Sequence, residues 1–153
     1  MARWEAGQAE IEILIAAKDL EVVTGAEANG APLLAKAHRT LATAAEIGAD
    51  DPYSSYVLAY DATRVACTAL LAQQGLRPTT RGGHYAVEQA VRSQFGQGFR
   101  PFGALRRRRN ELEYPHLPGD NASTDEAAEA VQAAQRLIAA ADRLLPLLSF
   151  FGK

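Results

Sequence analysis

Two residue types suited to phosphate chemistry stand close together in "GALRRRRNELEYPHLPGD", residues 103–120. Arg109 closes a run of four arginines, Asn110 follows it, and His116 comes after six intervening residues. An imidazole can take the proton from a ribose 2′-hydroxyl or give one to a leaving 5′-oxygen. A guanidinium can stabilise the extra charge of an in-line phosphorane. Together they suit metal-free cleavage of RNA rather than DNA, because the 2′-hydroxyl is the nucleophile. The bland alternative is a charged, solvated helix followed by a surface loop histidine.

Helical angle separates the arginines. With Phe102 at zero, Leu105 falls at about −60° and Leu112 at about −80°, which defines the apolar side. Arg107 and Glu111 fall at about 140° and 180° and are predicted to face solvent. Arg109 falls at about −20°, among the apolar positions, with Arg106 and Glu113 beside it. An arginine there needs a partner or a cleft. Glu113, four residues on, supplies one at ion-pair spacing. A groove in which Arg109 holds a phosphate bidentately supplies the other, and the reading here favours the groove. Pro115 disfavours helical geometry at Tyr114 and predicts the helix end there. His116 then lies just past the C-terminus, where the negative end of the helix dipole favours an imidazolium.

The charge distribution points the same way. The chain has a formal net charge of −2, yet residues 77–109 hold eight arginines and one acid, Glu88, so that segment is +7 and the rest −9. Such a segment either meets an anionic partner or pairs with the acidic helices around it. The other candidates are weaker. His84, after two glycines, is expected to pack or cap locally, or to supply a second imidazole if that helix end faces the cleft. His38 sits among apolar residues, and three scattered histidines give no metal site. The lone Cys67 is read as a small buried thiol, and no cofactor motif is found.

The elements that would position these residues are helices. The 153 residues, 48% hydrophobic and 22% charged, fit one domain over 1–153. Helices are predicted over about 6–23, 31–47 (started by Pro32), 53–74 (stopped by Gly75), 83–95 and 101–114. A last helix follows the capping box of Ser123 and Glu126, with Ala127, Val131, Ala134, Ile138, Ala141, Leu145 and Leu148 along one stripe. Tyr53, Tyr56 and Tyr60 are read as core or dimer interface. No segment alternates long enough to predict a strand. The fold class is therefore all-α: an up-and-down bundle of four long helices plus a short one. The longest apolar run near the N-terminus, "ILIAA", lies between Glu12 and Lys18, too short for a membrane span or a signal peptide. The chain is read as cytoplasmic.

"RNELEYPH", Arg109 to His116, resembles the Arg-x(4–6)-His signature of HEPN domains, which favour a small polar residue after the arginine, here Asn110. "YSSYVLAYDATRVACTALLAQQGLRP" and "GGHYAVEQAV" look like the preceding HEPN helices, so the likeness covers about residues 50–150. The resemblance implies a dimerising helical bundle with two Arg–His motifs facing a shared cleft. It implies a metal-independent endoribonuclease, often a toxin neutralised by a nucleotidyltransferase partner in a toxin–antitoxin or defence setting. Arg109 and His116 would be catalytic, Asn110 would orient the histidine or bind phosphate, and Arg106, Arg108 and Tyr114 would contact RNA. The alternative is a non-catalytic HEPN protein that binds RNA, a nucleotide or a protein partner.

Overall fold

The structure, a computed structural model, describes residues 4–151. Gln8–Ala16 form α1, burying Ile11 and Leu14. The chain then turns through Lys18, whose φ of 63° is left-handed. The Lys18 N–H donates to the Ile15 carbonyl at 3.0 Å and the Asp19 N–H to that of Leu14 at 2.9 Å. This is a Schellman closure without its usual glycine. The helix expected over 6–23 is thus corrected: it stops at Ala16, and Leu20–Val22 form strand β1. β1 pairs antiparallel with β2, Leu76–Pro78, with Leu20 opposite Pro78 and Val22 opposite Leu76. The expectation of no strand is corrected with it. Three-residue strands are too short to show alternation, and the pairing is made at long range. Arg77 of β2 ties the ribbon down, donating to Glu21 at 2.7 Å and to Glu27 at 3.2 Å.

The remaining elements begin where the chain is punctuated. Pro32 lies in the first turn of α2, Ala31–Ile47. Asp51 accepts from the Ser54 N–H at 3.2 Å and caps α3, Pro52–Gln73. α4 spans Gly83–Phe95, and α5 spans Arg100–Glu113 with a proline in its first turn. The Ser123–Glu126 capping box opens α6, Thr124–Leu144. The fold is mostly helical, with six α-helices among the described residues rather than four long and one short.

α3 is the hub, packing most extensively on α2 and α6, while α4 and α5 also lean on it and α1 rests on α4. Alanines at zero exposure, among them Ala37, Ala59, Ala66, Ala134 and Ala141, let these backbones come close. Tyr56 and Tyr60 enter the core, whereas Tyr53 stays partly exposed. Cys67 is fully buried, and burial pushes its thiol well above the ordinary range. Gln74 and Gln94 exchange side-chain amide hydrogen bonds of 2.6 and 3.0 Å, a buried polar clasp between the end of α3 and α4. Among the described residues no helix is long and apolar enough to cross a membrane.

The start of α4 is fixed by a close approach. Thr79 accepts from the Gly82 N–H at 3.1 Å and donates to the Lys18 carbonyl at 2.7 Å. A Cβ on Gly82 would overlap the Asp19 carbonyl oxygen, a backbone atom that cannot swing aside. Gly82→Ala is therefore expected to cost about 1–3 kcal/mol in chemical denaturation. Gly98→Ala, whose Cβ would meet nothing, is the control. Equal midpoints for the two variants would show that this approach does not matter.

Candidate functional site

α5 carries the arginines as the angular reading predicts. Phe102, Leu105 and Leu112 are buried, and Arg107 is exposed. Arg109 is 29% exposed at its side chain and forms an ion pair with Glu113 through Nη1, the local partner its spacing suggested. That pair does not satisfy the whole guanidinium, because Arg109 Nε is buried without a hydrogen-bond partner.

The other sequence-predicted residues lie in different surroundings. Arg108 is held by the start of α6 and the loop before it. Its Nε donates to Glu126 at 2.6 Å, Nη1 to Glu111 and Asp120 at 3.2 Å, and Nη2 to Asp120, the Asn121 carbonyl and Glu126 at 3.3 Å. All five of its N–H donors are engaged, so the side chain read as an RNA contact serves as a tie between α5 and α6. Those acceptors, Glu126 first and then Asp120, push its pKa further up, and Arg108 in turn holds the Asp120 carboxyl below its ordinary range. Asn110 is exposed, and its backbone carbonyl accepts the Tyr114 N–H that closes the helix. Tyr114 is 71% exposed. His116 is exposed and lines a depression of about 380 Å³ with Glu111, Leu117, Gly119 and Asp120. It thus shares neighbours with Arg108, and Arg109 is not among them.

The groups that feel the charge of Arg109 lie on α3 and α4. The Tyr60 hydroxyl lies 2.8 Å from His84 Nδ1, and the two rings are 5.7 Å apart. Tyr60 also packs on Phe102 at 5.8 Å, which ties the pair to α5. Arg64, one turn beyond Tyr60 on α3, has its Nε buried without a partner and makes no ion pair among the described residues. Arg106 donates to Glu88 at 3.2 Å through Nη2, and its guanidinium carbon stands 5.8 Å from the centre of the Tyr85 ring. Glu88 is almost wholly buried, with its second oxygen pressed against Gly103 and unpartnered. The site is therefore a cluster of three arginines around a tyrosine–histidine pair.

Electrostatics follow from that arrangement. Burial raises the Tyr60 pKa, so its hydroxyl stays protonated, although Arg64, Arg106 and Arg109 pull the other way. Burial, then the charges of Arg64 and Arg109, hold the His84 imidazole below its ordinary range, with Arg106 adding and Asp61 opposing. The sign for stability is the reverse of a salt-bridged histidine. The unfolded chain takes up this proton at about pH 6.5 and the folded chain only at lower pH, so folding weakens as pH falls through that window. His84→Gln is expected to flatten the fall in Tm between about pH 7 and 5.5. A variant as acid-sensitive as the native chain would contradict this.

Sequence reading missed Arg64 and gave Tyr60 only to the core. His84, a second imidazole if its helix end faces the cleft, feels the charge of Arg109. Tyr60 and Arg64 at i and i+4 were the available signal, but their meeting with α4 and α5 is tertiary. Among the described residues no group of three or more His, Cys, Asp or Glu could hold a metal ion. No family model matches the chain, and no curated protein or solved structure matches it.

Proposed function

We propose that this chain is a HEPN-type, metal-independent endoribonuclease, cytoplasmic and homodimeric. It acts as the toxin of a toxin–antitoxin or defence system, with a nucleotidyltransferase-type protein as antitoxin. The observation that supports it is Arg109, a cation held on the apolar side of α5 with Nε unsatisfied, whose charge acts with those of Arg64 and Arg106 on the Tyr60 hydroxyl. Such a cluster suits a phosphodiester whose charge grows in the transition state. The 2′-oxygen attacks phosphorus as its proton passes to an imidazole, His116 by the motif. The bond to the 5′-oxygen breaks, and that oxygen takes the proton back from the imidazolium or one from solvent. A 2′,3′-cyclic phosphate and a 5′-hydroxyl result. Asn110 orients the histidine or binds phosphate, Arg106 and Tyr114 flank the strand, and the dimer brings two motifs to one cleft.

The test is cleavage of several RNAs in EDTA by the native chain, Arg109→Ala and His116→Ala. Cleavage by the native chain alone supports the reading. A second reading is favoured by the separate surroundings of His116 and Arg109: a non-catalytic HEPN protein that binds RNA, a nucleotide or a protein. It predicts RNA binding that survives His116→Ala, with no cleavage by any form.

A further inference from the structure

The pair at the centre of the cluster constrains one proton. Tyr60 is fully buried, and its hydroxyl has one partner among the described residues, His84 Nδ1 at 2.8 Å. A phenol that keeps its hydrogen must donate it there. The accepting nitrogen then carries no proton, and a neutral ring bears its hydrogen on Nε2. Protonating the ring would set an N–H against the O–H and strand the buried hydroxyl hydrogen. Tyr60 thus acts as a tautomer lock, and His84 presents a donor with a fixed direction.

Two further donors lie beside it. Arg64 stands one turn beyond Tyr60 on α3, half-buried, its Nε enclosed without an acceptor and its charge in no ion pair among the described residues. The charge of Arg109, on α5, acts on the same pair, and its Nε is also buried without a hydrogen-bond partner among the described residues. Donor groups from three helices thus lie within electrostatic reach of one pair, and neither Arg64 Nε nor Arg109 Nε has an acceptor among the described residues, although Arg109 Nη1 pairs with Glu113. A ligand rich in acceptor oxygens and carrying negative charge satisfies that set. Asp61, Glu88 and Glu113 offset the three arginines, so a singly charged phosphodiester fits better than a dianion. Tyr85, 57% exposed on the helix turn that carries His84, offers an aromatic face where an adjoining base would stack.

We propose that Arg64, His84 and Arg109 form a phosphoryl-binding pocket, with His84 serving as an Nε2–H donor positioned by Tyr60 and Tyr85 as the adjoining base platform. The choice of RNA as the source of the phosphoryl group rests on the function proposed above; the pocket itself does not.

The experiment has two readouts on the full-length protein. Long-range ¹H–¹⁵N spectra of the imidazoles report the His84 tautomer, with and without inorganic phosphate. Fluorescence anisotropy of a labelled single-stranded RNA reports binding by the native chain and by Arg64→Ala, His84→Ala and Arg107→Ala. Arg107 is the exposed control for simple loss of charge, and circular dichroism checks folding of each variant. The pocket predicts an Nε2–H tautomer, and binding weakened about tenfold by Arg64→Ala and by His84→Ala, with Arg107→Ala near native. Phosphate that moves the His84 signals while RNA binds no more weakly in the variants assigns the pocket to free phosphate, which keeps the phosphoryl site and removes the RNA source. Should Arg64→Ala or His84→Ala fail to fold, Tyr60→Phe replaces it: the pocket predicts that releasing the lock raises the His84 pKa and weakens binding of the same ligand. An Nδ1–H tautomer, or equal weakening by Arg64→Ala and Arg107→Ala with no phosphate response at His84, overturns the pocket. Absence of EDTA-resistant cleavage overturns the nuclease and leaves these readouts intact.

Discussion

Arg109→Ala is expected to lower RNA cleavage by about a hundredfold or more while the protein stays folded, as loss of a transition-state charge partner does elsewhere. Two energetic features make the variant informative. The ion pair with Glu113 joins side chains 29% and 37% exposed, so losing it removes little stability, on the order of 1 kcal/mol at most. The unsatisfied Nε disappears with the side chain, which removes a cost rather than adding one. A large loss of activity without a matching loss of stability therefore assigns Arg109 to the reaction. Arg109→Lys separates two contributions. It keeps the charge but not the planar fork, and is expected to recover only part of the rate.

The largest effect on stability is expected at the neighbouring arginine. Arg106→Ala leaves Glu88, 2% exposed at its side chain, without the cation that pairs with it. Removing one member of a buried ion pair strands the other, and the expected cost is about 3 kcal/mol. For a chain of this size that lowers Tm by roughly 10 °C. The cost belongs to the stranded carboxylate, so an Arg106→Met, Glu88→Met double variant should recover most of it. Arg108→Ala is the contrast. Arg108 has more partners, but Glu111, Asp120 and Glu126 are 63%, 37% and 29% exposed at their side chains, so solvent reaches them and the expected loss is smaller. A double variant no more stable than Arg106→Ala would place the cost elsewhere, in lost packing on Tyr85.

What could be read in advance followed the range of the interactions. Bounds among α2 to α6 are marked by Pro32, Gly75, Pro115 and Ser123, each acting within one turn, and were legible. α1 misled because its Schellman closure uses Lys18, a residue with no turn signature, where glycine is usual. The β1–β2 ribbon was hidden because each strand is three residues long and the pairing joins Leu20–Val22 to the distant Leu76–Pro78. The same division holds at the site. The position of Arg109 is a property of one helix, and angle alone found it. Tyr60, Arg64 and His84 meet it only because α3 places α4 and α5 side by side, which no local period encodes. Arg108 shows the converse: its engagement by Glu126 and Asp120 depends on where the loop of residues 114–123 folds back.

The central claim, that the arginine cluster serves metal-free RNA cleavage, is tested most directly by end analysis of RNA incubated with the purified protein in EDTA. The account predicts fragments ending in 2′,3′-cyclic phosphate and 5′-hydroxyl, formed by the native chain and lost in Arg109→Ala. Intact RNA, or the same fragments from Arg109→Ala at the native rate, would contradict it.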